Sequence, residues 1–270
     1  MPQLITAQTA LCGIVLHPAG HTKSPLMHNA AFLEMDIDAR YVAFDVPPKK
    51  LPEAIAGVRA LGLKQLAVSV PHKVEVMALL DEVDAGAQQI GAVNTVTLRD
   101  GRLVGSNTDW VGSNQALERE TTLAGKRAVV LGAGGAARGV VFGLLERGAT
   151  VHVLNRTVEK AESLVKDLGA ESAGAMADLA SLDHDLLVNT TSVGLRSEDS
   201  PVPAEHLRQG TVVMDAVYDP EETRLLRDAR ERGATVVHGK WMLIYQAAEQ
   251  IRTWTGREAP IDTLESAFRS

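Results

Sequence analysis

A lysine, an aspartate and several hydroxyl and amide side chains stand at the ends of short apolar runs. Lys73 closes Val68-Ser69-Val70-Pro71-His72-Lys73, just past an apolar stretch. That position is the ligand-facing edge of an α/β sheet. The spacing from Pro71 also predicts a helix through about Leu80, with Lys73 in its first turn. A cation there opposes the helix dipole, so its presence suggests a chemical task. The plainer reading is a snorkelling surface lysine. Asp109, in Ser106-Asn107-Thr108-Asp109, could hold Lys73 charged and orient it. Alternatively, Asn107, Thr108 or Asp109 caps a helix from about Trp110. In His21-Thr22-Lys23-Ser24-Pro25, Thr22 and Ser24 bring hydroxyls to a helix start, where free N–H groups favour an anion. The structural alternative is Ser24 as N-cap, with Pro25 at the first helical position.

A different chemistry is written in Gly132-Ala133-Gly134-Gly135-Ala136-Ala137, a G-x-G-x-x-A pattern between an apolar run and a helical stretch. The first glycine permits a tight turn and the second lets a pyrophosphate approach the backbone. The small residue at 137 allows close helix–strand packing. The next apolar run ends Val153-Leu154-Asn155-Arg156-Thr157. An NAD site would place a carboxylate about here for the ribose hydroxyls. This chain has none. Arg156 can pair with a 2′-phosphate, and Lys160 can add a second cation one helical turn on. The reading is NADP(H), against a solvated Arg and Lys at a helix start.

The elements that must position these residues alternate. Strands are expected at 11–16, 41–46 and 65–70, with helices from Ser24 to about Met35 and over 51–61. This β-α order implies parallel strands with crossover helices. Asp100-Gly101 between Val93–Leu98 and Leu103–Gly105 predicts an antiparallel hairpin, so the first sheet is mixed. A helix from about Trp110 leads to Ala124-Gly125-Lys126, a plausible boundary. Further strands are expected at 127–132, 150–154, 186–189, 212–215 and 235–238, with a helix to about Arg147 and a last helix over 241–254.

Composition narrows the function classes. The 270 residues are 45% hydrophobic and 23% charged, which is ordinary for a soluble globular protein of about two domains. The net charge of −7 and 4% aromatic content argue against a nucleic-acid partner. No apolar run approaches a membrane span, so no membrane partner is expected. Met1-Pro2-Gln3-Leu4 lacks a basic start and an apolar core, which predicts no signal peptide. One cysteine, Cys12, allows no internal disulfide, which suits a cytoplasmic enzyme. No Cys/His spacing suggests a metal.

Taken in order, the motifs resemble the shikimate dehydrogenase family over nearly the whole chain. They run Ser24-Pro25-Leu26-Met27-His28-Asn29, Pro71-His72-Lys73, Gly91-Ala92-Val93-Asn94-Thr95 and Asn107-Thr108-Asp109. The glycine loop and Asn155-Arg156-Thr157 follow. Then come Asn189-Thr190-Thr191-Ser192-Val193-Gly194, Asp215-Ala216-Val217-Tyr218-Asp219-Pro220 and Gly239-Lys240-Trp241-Met242-Leu243-Ile244-Tyr245-Gln246. The resemblance implies an α/β fold of two domains around a cleft. Residues 1–109 would form an α/β substrate domain with a mixed sheet. Residues 110–238 would form a Rossmann-like NADP domain, and a helical segment at 239–270 would return to the first domain. It implies reversible reduction of 3-dehydroshikimate to shikimate by a monomer or homodimer, in aromatic amino acid precursor synthesis.

Residue by residue, the resemblance puts Thr22 and Ser24 on the substrate carboxylate, helped by Tyr218. Lys73, Asn94, Asp109 and Gln246 meet ring hydroxyls, and Ser69 lines the site. Lys73 and Asp109 form the catalytic dyad. Gly132, Gly134, Gly135, Ala136, Asn155, Arg156, Thr157, Lys160, Thr191 and Val217 serve the cofactor, with Gly239 and Met242 near the nicotinamide. Two departures fall beside the substrate. Ala67-Val68-Ser69 stands where the family usually has Asn-Val-Thr, and the segment from Gly13 to His21-Thr22 is longer than usual. The rival readings are a quinate or other cyclic hydroxy acid dehydrogenase, and an NADP-binding regulatory module without turnover. Retention of both Lys73 and Asp109 speaks against the second.

Overall fold

Two six-stranded sheets carry the chain, and their strand orders differ in kind. The computed structural model describes residues 4–20 and 22–270; Met1-Pro2-Gln3 and His21 lie outside the described residues. The chain divides into two units. One holds the residues up to Thr108 together with Gln246–Ser270, and the other is Asp109–Tyr245.

The first unit holds β1 (Ala10–Leu16), β2 (Ala39–Asp45), β3 (Gln65–Val68), β4 (Glu82–Val83), β5 (Thr95–Arg99) and β6 (Arg102–Ser106), in the order β2-β1-β3-β5-β6-β4. β1 is parallel to β2 and β3, whereas β5 runs antiparallel to both β3 and β6. The mixed sheet follows from one tight turn. Asp100 and Gly101 both have positive φ, 49° and 77°, as a two-residue hairpin of type I′ requires. Helices α1 (Ser24–Glu34), α2 (Leu51–Leu61) and α3 (Ala85–Ile90) complete this part. α2 buries Leu51, Ile55 and Val58, spaced four and three residues apart on one face, against Leu66, Val68 and Val96 of the sheet.

Two expectations fail here. Ser24 is not an N-cap: α1 begins at Ser24 itself, after Lys23, and no side chain caps it. The Ser24 hydroxyl is taken by Thr22, whose Oγ1 donates to Ser24 Oγ at 3.2 Å. Nor does an α-helix start at Pro71. The Lys73 carbonyl accepts from Val93 N at 2.8 Å, so it is withdrawn from any helical ladder. Only Glu75–Leu79 coil, as a 3₁₀ turn. Lys73 therefore opposes no helix dipole, and that argument for its chemistry falls away.

The second unit holds β7 (Arg127–Leu131), β8 (Thr150–Leu154), β9 (Ser172–Gly174), β10 (Leu186–Asn189), β11 (Val212–Asp215) and β12 (Thr235–His238). All are parallel, in the order β12-β11-β10-β7-β8-β9. Helices α4 (Asp109–Glu118), α5 (Gly135–Glu146), α6 (Val158–Leu168) and α7 (Arg224–Glu231) accompany them. This is the doubly wound arrangement, whose direction reverses between β7 and β10. The stretch at 124–126 is not the boundary between the units. α4 already belongs to the second, because Trp110 packs edge-on against Phe142 and Asn114 Nδ2 donates to Gly143 O at 2.8 Å.

α8 (Gly239–Thr255) is followed by α9 (Ile261–Phe268), so the helix ending near Trp254 is not the last. The last turns of α8 are held by the first unit. Gln65 Nε2 donates to Gln250 O at 2.8 Å, Arg99 to Thr253 O at 3.1 Å, and Trp254 packs on Phe32.

Candidate active site

Ser69, Lys73 and Asn94 come together at the C-terminal end of β3, whereas Asp109 and Tyr218 belong to the second unit. Ser69 follows β3, and its N–H donates to Val15 O at 2.9 Å. The next strand is stitched to this loop twice: Val68 N donates to Asn94 O at 2.7 Å, and Val93 N to Lys73 O. Ser69, Lys73 and Asn94 are thereby held by neighbouring backbone. Asn94 is buried. Its Oδ1 accepts from Thr108 N at 2.8 Å and from Thr95 Oγ1 at 2.8 Å, while its Nδ2 donates to Thr108 Oγ1 at 3.0 Å. Thr108 thus turns its hydroxyl to Asn94 rather than capping α4, and Asn107 donates to Ala92 O. Asp109, the first residue of α4, is 3% exposed. Thr22 and Ser24 form their hydroxyl pair at the start of α1. Gln246 is buried on α8.

In the second unit the glycine loop lies at the strand-order reversal. Gly132 has φ +108°, and a Cβ there would meet Thr190 Oγ1 at 2.7 Å. Glycine is required on both counts. At Gly134 a Cβ would meet nothing within 4 Å, which is room for a phosphate beside the first N–H groups of α5. Ala137 is fully buried, as close helix packing demands. Gly135 and Ala136 open the helix. Thr191 donates to Asn189 Oδ1 at 2.8 Å. Past β8, Asn155 Nδ2 donates to Thr157 O at 2.8 Å. Arg156 and Lys160 are exposed, and neither side chain is engaged by a described residue. This arrangement fits a dinucleotide with an added phosphate: open backbone for the pyrophosphate, two uncommitted cations, and no carboxylate at the strand end.

One functional group carries no role in the sequence reading. Asp215 ends β11, fully buried. Its Oδ1 accepts from Asn189 Nδ2 at 2.8 Å and Val217 N at 3.0 Å, and its Oδ2 from Thr223 Oγ1 at 2.7 Å. Burial pushes its pKa up to about 6, against the pull of these three donors. Asp215 ties the Thr191 loop to the segment carrying Val217 and Tyr218. Gly239 closes onto the same segment, since a Cβ there would meet Val217 O at 2.5 Å and Asp215 O at 2.6 Å. Met242 is buried one turn along α8. The sequence signals for Asp215 are its place ending an apolar run, Val212-Val213-Met214, and at the head of the Asp215–Pro220 motif, neither of which gives it a role.

Comparison with known proteins finds three matching family descriptions. Residues 14–96 match the shikimate dehydrogenase substrate binding domain, 114–197 shikimate / quinate 5-dehydrogenase, and 239–267 the shikimate 5'-dehydrogenase C-terminal domain. The chain is 48% identical over 263 residues to the shikimate dehydrogenase (NADP(+)) of Geobacillus kaustophilus, covering 94% of this chain and 95% of that one. It is similar in structure to shikimate 5-dehydrogenase from Thermus thermophilus in complex with NADP(H) and shikimate. There the TM-score is 0.90 and the identity 38%, over 96% and 98% of the two chains. It is also similar to the ligand-free 5-ketofructose reductase of a Gluconobacter strain, with TM-score 0.87 and 32% identity over 98% and 99%.

Proposed function

The chain belongs to the shikimate dehydrogenase family, and we propose that it reversibly reduces 3-dehydroshikimate to shikimate with NADPH. The observation that carries this reading is the pairing of two chemistries in one chain. A glycine turn at the reversal of a parallel sheet is followed by unengaged Arg156, and a buried hydroxyl and amide set accompanies Lys73 and Asp109.

When bound, NADPH supplies the hydride. Arg156 and Lys160 hold its 2′-phosphate, and Gly134 and Gly135 admit its pyrophosphate to the start of α5. Asn155 and Thr157 shape the turn that presents Arg156. Thr191, Val217, Gly239 and Met242 line the rest of the cofactor site. Thr22 and Ser24 donate to the substrate carboxylate, with Tyr218 as a third donor. Asn94 and Gln246 hold ring hydroxyls, and Ser69 lines the site. The Lys73 ammonium hydrogen-bonds the substrate carbonyl oxygen, stabilises the charge that develops there, and passes it a proton. Asp109 orients Lys73. Residues 1–109 serve as the substrate domain, 110–238 as the NADP domain and 239–270 as the returning segment. Among the described residues no helix is long and apolar enough to cross a membrane, and no metal-binding cluster occurs.

Incubation with 3-dehydroshikimate and NADPH, followed by chromatographic product identification, tests the reading. Shikimate formed in step with NADPH consumption is expected. NADPH binding without any shikimate would overturn it.

A further inference from the structure

Behind the proposed substrate residues, the first unit buries a second set of polar side chains that the reaction does not use. We propose that Thr95 and Gln250 are positioning residues, a buried hydrogen-bonded pair that sets Asn94 and Gln246 for substrate. The proposal rests on the reading of those two as substrate ligands.

His28 lies one turn along α1 from Ser24, and its Nδ1 donates to Ser24 O at 3.0 Å. The ring is fully buried, stacked on Tyr41 at 4.0 Å and edge-on to Phe32. Burial lowers its pKa to about 4, against the pull of the Ser24 carbonyl, so it is neutral near pH 7. Gln250 comes from α8. Its Nε2 donates to Thr95 Oγ1 at 2.9 Å and to Asn94 O at 3.3 Å, and its own carbonyl accepts from Gln65. Thr95 Oγ1 in turn donates to Asn94 Oδ1 at 2.8 Å. With Thr108 N as a second donor, Asn94 Oδ1 is saturated. The Asn94 carboxamide then has one orientation, with Nδ2 as its donating side. Gln246 stands one helical turn before Gln250 on the same face of α8, so anchoring Gln250 sets the rotation of Gln246.

The cost of this arrangement is visible. Among the described residues, His28 Nε2, Gln250 Oε1 and Tyr41 Oη are buried without hydrogen-bond partners. Each such atom is expensive, and an apolar filling would avoid the expense. What the polar groups provide is geometry: one network reaches two ligating residues, from the Asn94 segment and α8.

The test compares Gln250→Met, Thr95→Val and Thr95→Ser with the direct-contact variant Asn94→Ala in the full-length enzyme. Steady-state KM for shikimate and for NADP+, kcat and Tm are measured. Gln250→Met and Thr95→Val should raise KM for shikimate about tenfold, as for one misplaced hydrogen-bonding group, with KM for NADP+ within about twofold. Thr95→Ser, which keeps the hydroxyl, should restore the shikimate KM. The Thr95 pair decides the matter if Gln250→Met does not fold. Lower Tm with an unchanged shikimate KM in Thr95→Val, while Asn94→Ala raises that KM, would show a merely structural network and overturn the proposal. An unchanged shikimate KM in Asn94→Ala as well would sink the substrate reading, and the proposal with it.

Discussion

The two units bury polar side chains in different ways. In the first, Asn94, Thr95, Thr108 and Gln250 form a network without charge. In the second, the buried carboxylate of Asp215 gathers Asn189, Val217 and Thr223. The ligand-facing parts differ as well. The first unit presents side chains from separate segments. In the proposed cofactor site the second unit presents chiefly backbone, in a glycine turn where a side chain would clash at Gly132 and would take up the open space at Gly134. A site made of backbone depends on local conformation, and a site made of side chains depends on long-range hydrogen bonds. Perturbations of the two should therefore separate cleanly.

The largest separation is expected at Lys73. Lys73→Ala should lower turnover by ~10²–10⁴-fold, the usual contribution of a positioned acid–base group, while NADPH affinity stays unchanged. Steady-state rates and fluorescence titration of NADPH check both halves. Near-normal turnover would remove Lys73 from the chemistry.

The two units should next be distinguishable by acid. The Asp215 pKa is raised from 3.8 to about 6, so the folded protein holds this proton more tightly than the unfolded chain. Its ionisation costs stability as pH rises from about 4 to about 6, by roughly 3 kcal/mol, and the loss persists above that window. His28 has the opposite sign. Its pKa is lowered from 6.5 to about 4, so stability is lost as pH falls through that window. Denaturant unfolding of Asp215→Asn and His28→Phe against the parent protein, from pH 4 to pH 7, should give differences of opposite slope. Parallel, pH-independent differences would refute the contrast.

Substrate choice sharpens the description of the first unit. Quinate carries an extra hydroxyl on the saturated ring carbon beside its carboxylate. In the proposed site Thr22 and Ser24 are occupied by the carboxylate, and Ala67 on β3 is buried with no polar side-chain atom to offer. An unpartnered hydroxyl costs ~1–3 kcal/mol, so kcat/KM should favour shikimate by roughly ten- to a hundredfold. Equal efficiency would mean that the site holds a partner for that hydroxyl.

The smallest effect is reserved for the cofactor's far end. Arg156→Ala should weaken NADP+ by about tenfold and leave NAD+ nearly unchanged, because only the 2′-phosphate loses a charge-assisted contact. Equal loss for both cofactors would place Arg156 on the pyrophosphate or in the folding of the turn.

The same contrast explains what can be read from the sequence. The glycine turn, the strands at 150–154, 186–189, 212–215 and 235–238, and the Asp100-Gly101 hairpin all follow from contiguous residues. Their conformations are local. The first unit's failures are non-local. Pro71 reads as a helix start because nothing nearby shows that Val93 will claim the Lys73 carbonyl. Ser24 reads as a cap because its pairing with Thr22 is a matter of side-chain orientation. α9 is not legible because its apolar face is completed only against α1. Gln250 carries no signal of its own, and His28 stands out only as one residue of the Ser24–Asn29 motif, because their hydrogen bonds reach partners that the local sequence does not reveal.

The central claim is that this chain oxidises shikimate with NADP+, using separately built substrate and cofactor sites. Initial rates of nicotinamide reduction with shikimate, NADP+ and NAD+ test it most directly. The account predicts shikimate-dependent reduction of NADP+ that is faster than that of NAD+ at equal, subsaturating cofactor. Absence of shikimate-dependent reduction by a folded protein that binds NADP+ would contradict it.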